Sequence, residues 1–227
     1  MIDIEKLFSL NDQLEKNWDD NLRDSFRGFK VWFDSYRNGD VKLDRNLKGM
    51  IDHNLTEEEA FLVLTYTASK TSSWVNHDLR NGNTHKRADK ILYSEYLSFV
   101  LNKIPPFNNA LAFRMETEVS DDEEVLNWFE SKMGRTFVLP YFLSTSKEDW
   151  GNDQLVWQIQ TLPKNSLARD ISNLTNNPPE QEILFNKGAK FLIKGVDKEK
   201  CYVYLDEIDS QHETSFALTG LYHWNIR

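Results

Sequence analysis

Two hydrophobic periods divide the chain at Pro105-Pro106. Ahead of the prolines, apolar residues recur three and four positions apart, the spacing of an amphipathic helix. Leu7, Leu10, Leu14 and Trp18 follow it, and Phe26, Phe29, Val31, Trp32, Phe33 and Tyr36 crowd one broad stripe that Asn38-Gly39-Asp40 ends. Stripes of this kind face a neighbouring element, so these aromatics are expected in a core. Thr56-Glu57-Glu58-Glu59 has the form of a capping box, with the Thr oxygen on the N3 amide and Glu59 reaching back. It predicts a helix through Ala60, Leu62, Val63 and Tyr66. Ala88, Ile91, Leu92, Tyr96 and Phe99 mark another, which the proline pair stops.

After the prolines the pattern shortens. Residues 110–116 read as a strand, and Ser120-Asp121-Asp122-Glu123 caps a short helix through Val125, Leu126, Trp128 and Phe129. Strands are then predicted over 136–144, 155–162, 182–185, 189–194 and 202–205, with β-like segments at 214–218 and 221–226. Helices first and strands after imply an α+β layout with mainly antiparallel sheets. One compact domain is expected, its N-terminal helices capping it or forming a small lobe, with a break near Gly39. Residues 1–39 are therefore read as a helical extension and 40–227 as the main domain.

Composition narrows the classes of function. Of the 227 residues, 40% are hydrophobic and 13% aromatic, which supports a packed core. A net charge of −9 disfavours nucleic acid or an anionic membrane as the main partner, while leaving room for a local basic pocket. Cys201 is the one cysteine, so no intramolecular disulfide can form; its strand-like surroundings suggest core rather than nucleophile. The start of the chain lacks the basic and apolar stretches of a signal peptide, and no window reaches the length of a membrane span. Synthesis in a cytoplasm is expected, with a leaderless route of export or delivery left open. His53, His77, His85, His212 and His223 show no ligand spacing, so no metal is expected, and no glycine-rich phosphate loop is present.

Three polar features interrupt the apolar strands. Arg114 follows Leu111-Ala112-Phe113, where an unpaired guanidinium is costly, so it must meet an anion. A structural salt bridge and a phosphate ligand both satisfy that requirement. Ser144-Thr145-Ser146 closes the run 137–143, and its hydroxyls can make local turn bonds or orient a carboxylate on the next strand. Glu180-Gln181-Glu182 stands between Asn176-Asn177-Pro178-Pro179 and Ile183-Leu184-Phe185. Two carboxylates one residue apart in a strand point to the same face; a solvated strand edge and a two-acid site are both open readings.

Taken in order, Arg114, Ser144-Thr145-Ser146 and Glu180-Gln181-Glu182 resemble the mono-ADP-ribosyltransferases of the Arg-Ser-Glu class, which includes bacterial ADP-ribosylating toxins and arginine-specific vertebrate enzymes. The likeness covers roughly residues 65–195. Its most specific parts are residues 142–146 and 180–191, where the family pattern reads Glu-x-Glu, apolar residues, a Gly-containing turn and a second strand. Tyr66-Thr67 and residues 75–82 look like the helical stretch that precedes the first strand in the toxin branch.

The resemblance implies an ADP-ribosyltransferase-like fold of two packed, mainly antiparallel sheets, with NAD as ADP-ribose donor and a protein as acceptor. Arg114 matches the arginine that binds the dinucleotide phosphates. Ser144 matches the serine that positions the catalytic glutamate, with Thr145 and Ser146 buttressing the strand. Glu182 matches the glutamate that bonds the nicotinamide-side ribose. Glu180 matches the upstream member of the pair, where glutamate goes with arginine as acceptor. An NAD glycohydrolase on the same scaffold and a non-catalytic interaction protein retaining the fold are the alternatives. Two departures stand out. The stretch 173–177 lacks the aromatic residue with which the family often recognises its protein substrate, and Arg169 is the available candidate for a further phosphate-binding arginine, with a surface salt bridge an equally open reading. Asn76 and Arg80 are equally open to cleft lining and to helix packing.

Overall fold

The computed structural model describes residues 2–14, 34–35, 37–39, 47–67, 69–80, 87–116, 122–151, 154–175, 178–209 and 211–219. Trp18, the stripe from Phe26 to Phe33, Tyr36, Ser120 and the segment 221–226 lie outside them. The chain divides into a helical unit (1–78, 83–104 and 171–178) and a strand-rich unit holding the rest.

The helical unit contains α1 (Ile4–Leu14), α2 (Leu47–Asp52), α3 (Glu57–Tyr66), α4 (Ser69–Arg80, whose last two residues belong to the other unit) and α5 (Ala88–Leu101). α3 begins as its sequence dictates. The Glu59 amide donates to Thr56 Oγ1 at 3.2 Å, and Glu59 Oε2 accepts from the Thr56 amide at 3.0 Å, so two donors that a helix start would leave orphaned are satisfied. α1 packs on α5 and buries Ile4, Leu7 and Phe8. On α5 the buried face is Tyr93, Leu97, Val100 and Leu101, whereas Ile91 and Phe99 of the expected stripe are exposed. That helix is apolar around much of its circumference, so periodicity alone does not choose its inner face. Gly49 matters here for a packing reason. A β-carbon on it would come within 2.5 Å of the Asn173 carbonyl oxygen, so only glycine lets Asn173 and Leu174 lie against α2.

The strand-rich unit holds β1 (Leu111–Glu116), α6 (Asp122–Ser131), β2 (Thr136–Val138), β3 (Leu143–Ser146), β4 (Leu155–Gln160), β5 (Ala168–Asp170), β6 (Glu182–Phe185), β7 (Lys190–Asp197), β8 (Tyr202–Ile208) and β9 (Phe216–Ala217). Hydrogen bonding joins them in one order, β5-β6-β3-β1-β4-β8-β7-β2-β9. The pairings are antiparallel except β4 with β8 and β2 with β9. The α+β expectation holds, but the two sheets are continuous: the halves meet where β1 and β3 pair through Phe113 and Ser146.

The strand expected over 136–144 is two strands. Pro140 has no N–H to give a ladder, and the chain breaks there, so β2 pairs with β7 while β3 crosses to pair with β6. Phe129, Phe137, Phe185, Phe191 and Trp157 fill the core between sheet and α6, with Phe129 edge-on to Trp157 at 5.5 Å. Cys201 sits in the β7–β8 turn with φ 58°, half-buried rather than in a strand. β5 has no counterpart in the sequence reading; three residues are too few to show a period. No helix among the described residues is long and apolar enough to cross a membrane.

Candidate active site

β3 and β6 place the chemistry. Ser146 pairs with Glu182 and Ser144 with Leu184, and directly opposed residues share a face. Ile183 and Phe185 alternate into the core, which turns Glu182 to the opposite side. Glu182 is 4% exposed, and Ser144 Oγ donates to its Oε1 at 2.6 Å. Thr145 Oγ1 donates to the Ile183 carbonyl at 2.8 Å, fixing β6 one residue beyond the carboxylate.

Arg114 comes from β1. Its Nη1 donates to the Ser144 carbonyl at 3.2 Å and its Nε to Glu116 Oε1 at 3.1 Å. A linked row results: Glu116 holds Arg114, Arg114 grips the main chain of Ser144, and the Ser144 hydroxyl grips Glu182. The two readings of Arg114 are therefore compatible. It has its structural carboxylate, and it also lines an open pocket of about 270 Å³ with Phe113, Ser144, Ser146, Trp150, Glu180 and Glu182.

Glu180 reaches that pocket by a different route from the one its spacing predicted. β6 starts at Glu182; Glu180 ends a 3-10 turn, Pro178–Glu180, and is exposed. Gln181 between them has φ 46°, a left-handed conformation that interrupts the strand, so alternation does not relate the two acids. Ser146 Oγ donates to the Glu180 carbonyl at 2.9 Å and holds the turn at its end.

Arg114, Ser144, Thr145, Ser146, Glu180 and Glu182 thus line one pocket, and further positions bear on the result. Glu116 is legible in retrospect, lying two residues from Arg114 on the same strand face. Trp150, 42% exposed at the pocket, sits in a loop without periodic signal. Arg169 does not line the pocket. It is buried on β5, donating to the Ser166 and Ala168 carbonyls, near Glu207. Glu207 accepts from Ser166 Oγ at 2.6 Å and from the Leu167 and Leu162 amides at 2.7 and 3.0 Å. Burial pushes the Arg169 guanidinium down and the Glu207 carboxyl up from their ordinary values, each opposed by the other's charge. Asn76 is buried on Tyr66, and Arg80 lies over the Tyr141 ring at 5.3 Å. Among the described residues no three His, Cys, Asp or Glu side chains gather as a metal site would need.

The profile of the ADP-ribosyltransferase exoenzyme family matches residues 9–218. The chain belongs to this family of ADP-ribosyltransferases. Solved structures agree in fold. Plx2a, an ADP-ribosyltransferase toxin from Paenibacillus larvae, superposes with a TM-score of 0.59 at 16% identity, covering 78% of this chain and 97% of its own. C3stau2 from S. aureus, solved with NAD, gives 0.55 at 18%, covering 74% and 95%. The ADP-ribosyltransferase Vis, in complex with agmatine, gives 0.55 at 21%, covering 73% and 82%. No curated protein matches the chain by sequence.

Proposed function

We propose that the protein transfers ADP-ribose from NAD to arginine side chains of a target protein. One observation carries this reading: Glu180 and Glu182 line a single pocket with Arg114, one acid buried and hydrogen-bonded, the other exposed. The residues suit the donor. Arg114 offers a permanent positive charge for the diphosphate, while Ser144 and Ser146 brace the wall that carries Glu182. As the nicotinamide bond breaks, positive charge grows on the ribose, and the Glu182 carboxylate beside it lowers the barrier. An arginine guanidinium, with a pKa above about 12, must lose a proton before it can attack, and Glu180 takes it.

The agmatine complex of Vis supports a guanidinium acceptor by analogy, since agmatine carries the same group. Hydrolysis of NAD is the second reading, favoured by the exposure of Glu180, which leaves water free to reach the acceptor side. The convergence of Arg114, Ser144 and Glu182 speaks against a purely non-catalytic interaction protein. Incubation with labelled NAD and a cell lysate, wild type beside Glu182→Ala, tests the proposal by mass spectrometry of labelled proteins. ADP-ribosyl-arginine in the wild type alone is expected. Nicotinamide release without any labelled protein favours the hydrolase, and neither product leaves only the interaction protein.

Two further parts of the reading are proposals. Delivery of the protein into a target cell follows the toxins of its family, and a separable extension at 1–39 would serve it. The second is checked by truncation: a 40–227 fragment that melts cooperatively and cleaves NAD supports separability, and one that fails to fold makes the segment core.

A further inference from the structure

Gln181 is held in an uncommon conformation by named contacts. At φ 46° its β-carbon crowds the backbone, which a residue other than glycine tolerates only where the surroundings enforce it. Three consecutive residues of the β3 exit enforce it here. Ser146 Oγ, which accepts the Glu148 amide at 3.0 Å, donates to the Glu180 carbonyl. The Lys147 amide donates to the Gln181 carbonyl at 3.2 Å. The Gln181 side-chain amide donates to Glu148 Oε1 at 2.5 Å. The turn so clamped takes Glu180 off the line of β6 and leaves it facing the pocket that Glu182 lines.

We infer that Gln181 and Glu148 are positioning residues that set the balance between transfer and hydrolysis by aiming Glu180. The inference rests on the reading of Glu180 as the acceptor-side base. Neither residue touches the reacting atoms. Both act through the direction of one carboxylate, so the donor half of the reaction is insulated from them. Glu182 is fixed separately, by Ser144 and by the β3–β6 ladder.

The test compares full-length variants in two assays, nicotinamide release without acceptor and formation of ADP-ribosyl-agmatine, together with thermal melting. Glu148→Ala and Gln181→Gly are each expected to lower the ratio of transfer to hydrolysis about tenfold, chiefly through kcat for agmatine. Gln181→Gly should melt at the wild-type temperature or above, because glycine adopts the left-handed turn without strain. Glu148→Gln should restore the ratio, since its amide oxygen accepts the same bond. Glu180→Gln is run beside them. A ratio unchanged in Glu180→Gln overturns the base reading and the inference with it. A ratio that falls in Glu180→Gln but not in Glu148→Ala and Gln181→Gly overturns the inference alone. So does a proportional loss of both activities with a lower melting temperature, which marks a merely structural role.

Discussion

The two acids of the pocket stand one residue apart and are held by opposite means. Glu182 opens a strand, is buried, takes a hydroxyl donor at 2.6 Å and is backed by the core through Ile183 and Phe185. Glu180 ends an exposed turn, and a left-handed residue separates it from that strand. In the division of labour we propose, the acid that meets growing charge at a fixed atom is the one built into the rigid framework, and the acid that meets a variable partner from solution is the one carried on a short local device.

Changes to the framework should break the comparison most strongly. Glu182→Gln is expected to lower both NAD hydrolysis and transfer by about a hundredfold or more, read as kcat for nicotinamide release and for agmatine modification. Glu180→Gln should lower transfer by about a hundredfold and hydrolysis far less, because only the acceptor proton loses its base.

Removing Glu207, a buried carboxyl on β8, tests whether the framework depends on its hydrogen bonds to Leu162, Ser166 and Leu167. Glu207→Ala leaves the Leu162 and Leu167 amides and the Ser166 hydroxyl without their acceptor, for a loss of about 3 kcal/mol in denaturant unfolding. Its pH dependence has a definite sign. Burial raises the folded carboxyl above the unfolded one, so its contribution is full below the ordinary glutamate pKa and declines as pH rises through the raised value. The stability gap between wild type and Glu207→Ala should narrow as pH rises above the ordinary glutamate pKa of about 4. Ser144→Ala, which frees Glu182 from one donor, should cost about tenfold in both activities with little change in melting.

The smallest effect concerns the Trp150 loop, which Tyr202 ties down by donating to Asp149. That bond pushes the Tyr202 phenol up to about 12, so its stabilisation is present below the ordinary tyrosine pKa and lost only as pH rises through the raised one. Asp149→Asn should return one phenol toward its ordinary value in an ultraviolet titration, with hydrolysis at neutral pH little changed.

How much of this was legible in the sequence follows from the same contrast. Features fixed by local chemistry read directly: the capping box at Thr56, the strand 182–185, and the family order of Arg114, Ser144-Thr145-Ser146 and Glu180-Gln181-Glu182. What depended on tertiary context did not. Pro140 split an apolar run that looked like one strand, and the inner face of α5 was chosen by its neighbours rather than by its period. The left-handed Gln181 was invisible because nothing in a glutamine announces positive φ; asparagine or glycine would have. Arg169 is open in the sequence to a phosphate ligand or a surface salt bridge, and neither reading contains its burial, because a sequence shows a charge without its surroundings.

The central claim is that the two acids divide the reaction between donor and acceptor. Nicotinamide release and agmatine modification, measured side by side on wild type, Glu180→Gln and Glu182→Gln, test it most directly. Glu182→Gln is expected to lower both activities together, while Glu180→Gln loses transfer and keeps most of its hydrolysis. Equal losses in both assays for Glu180→Gln would contradict it.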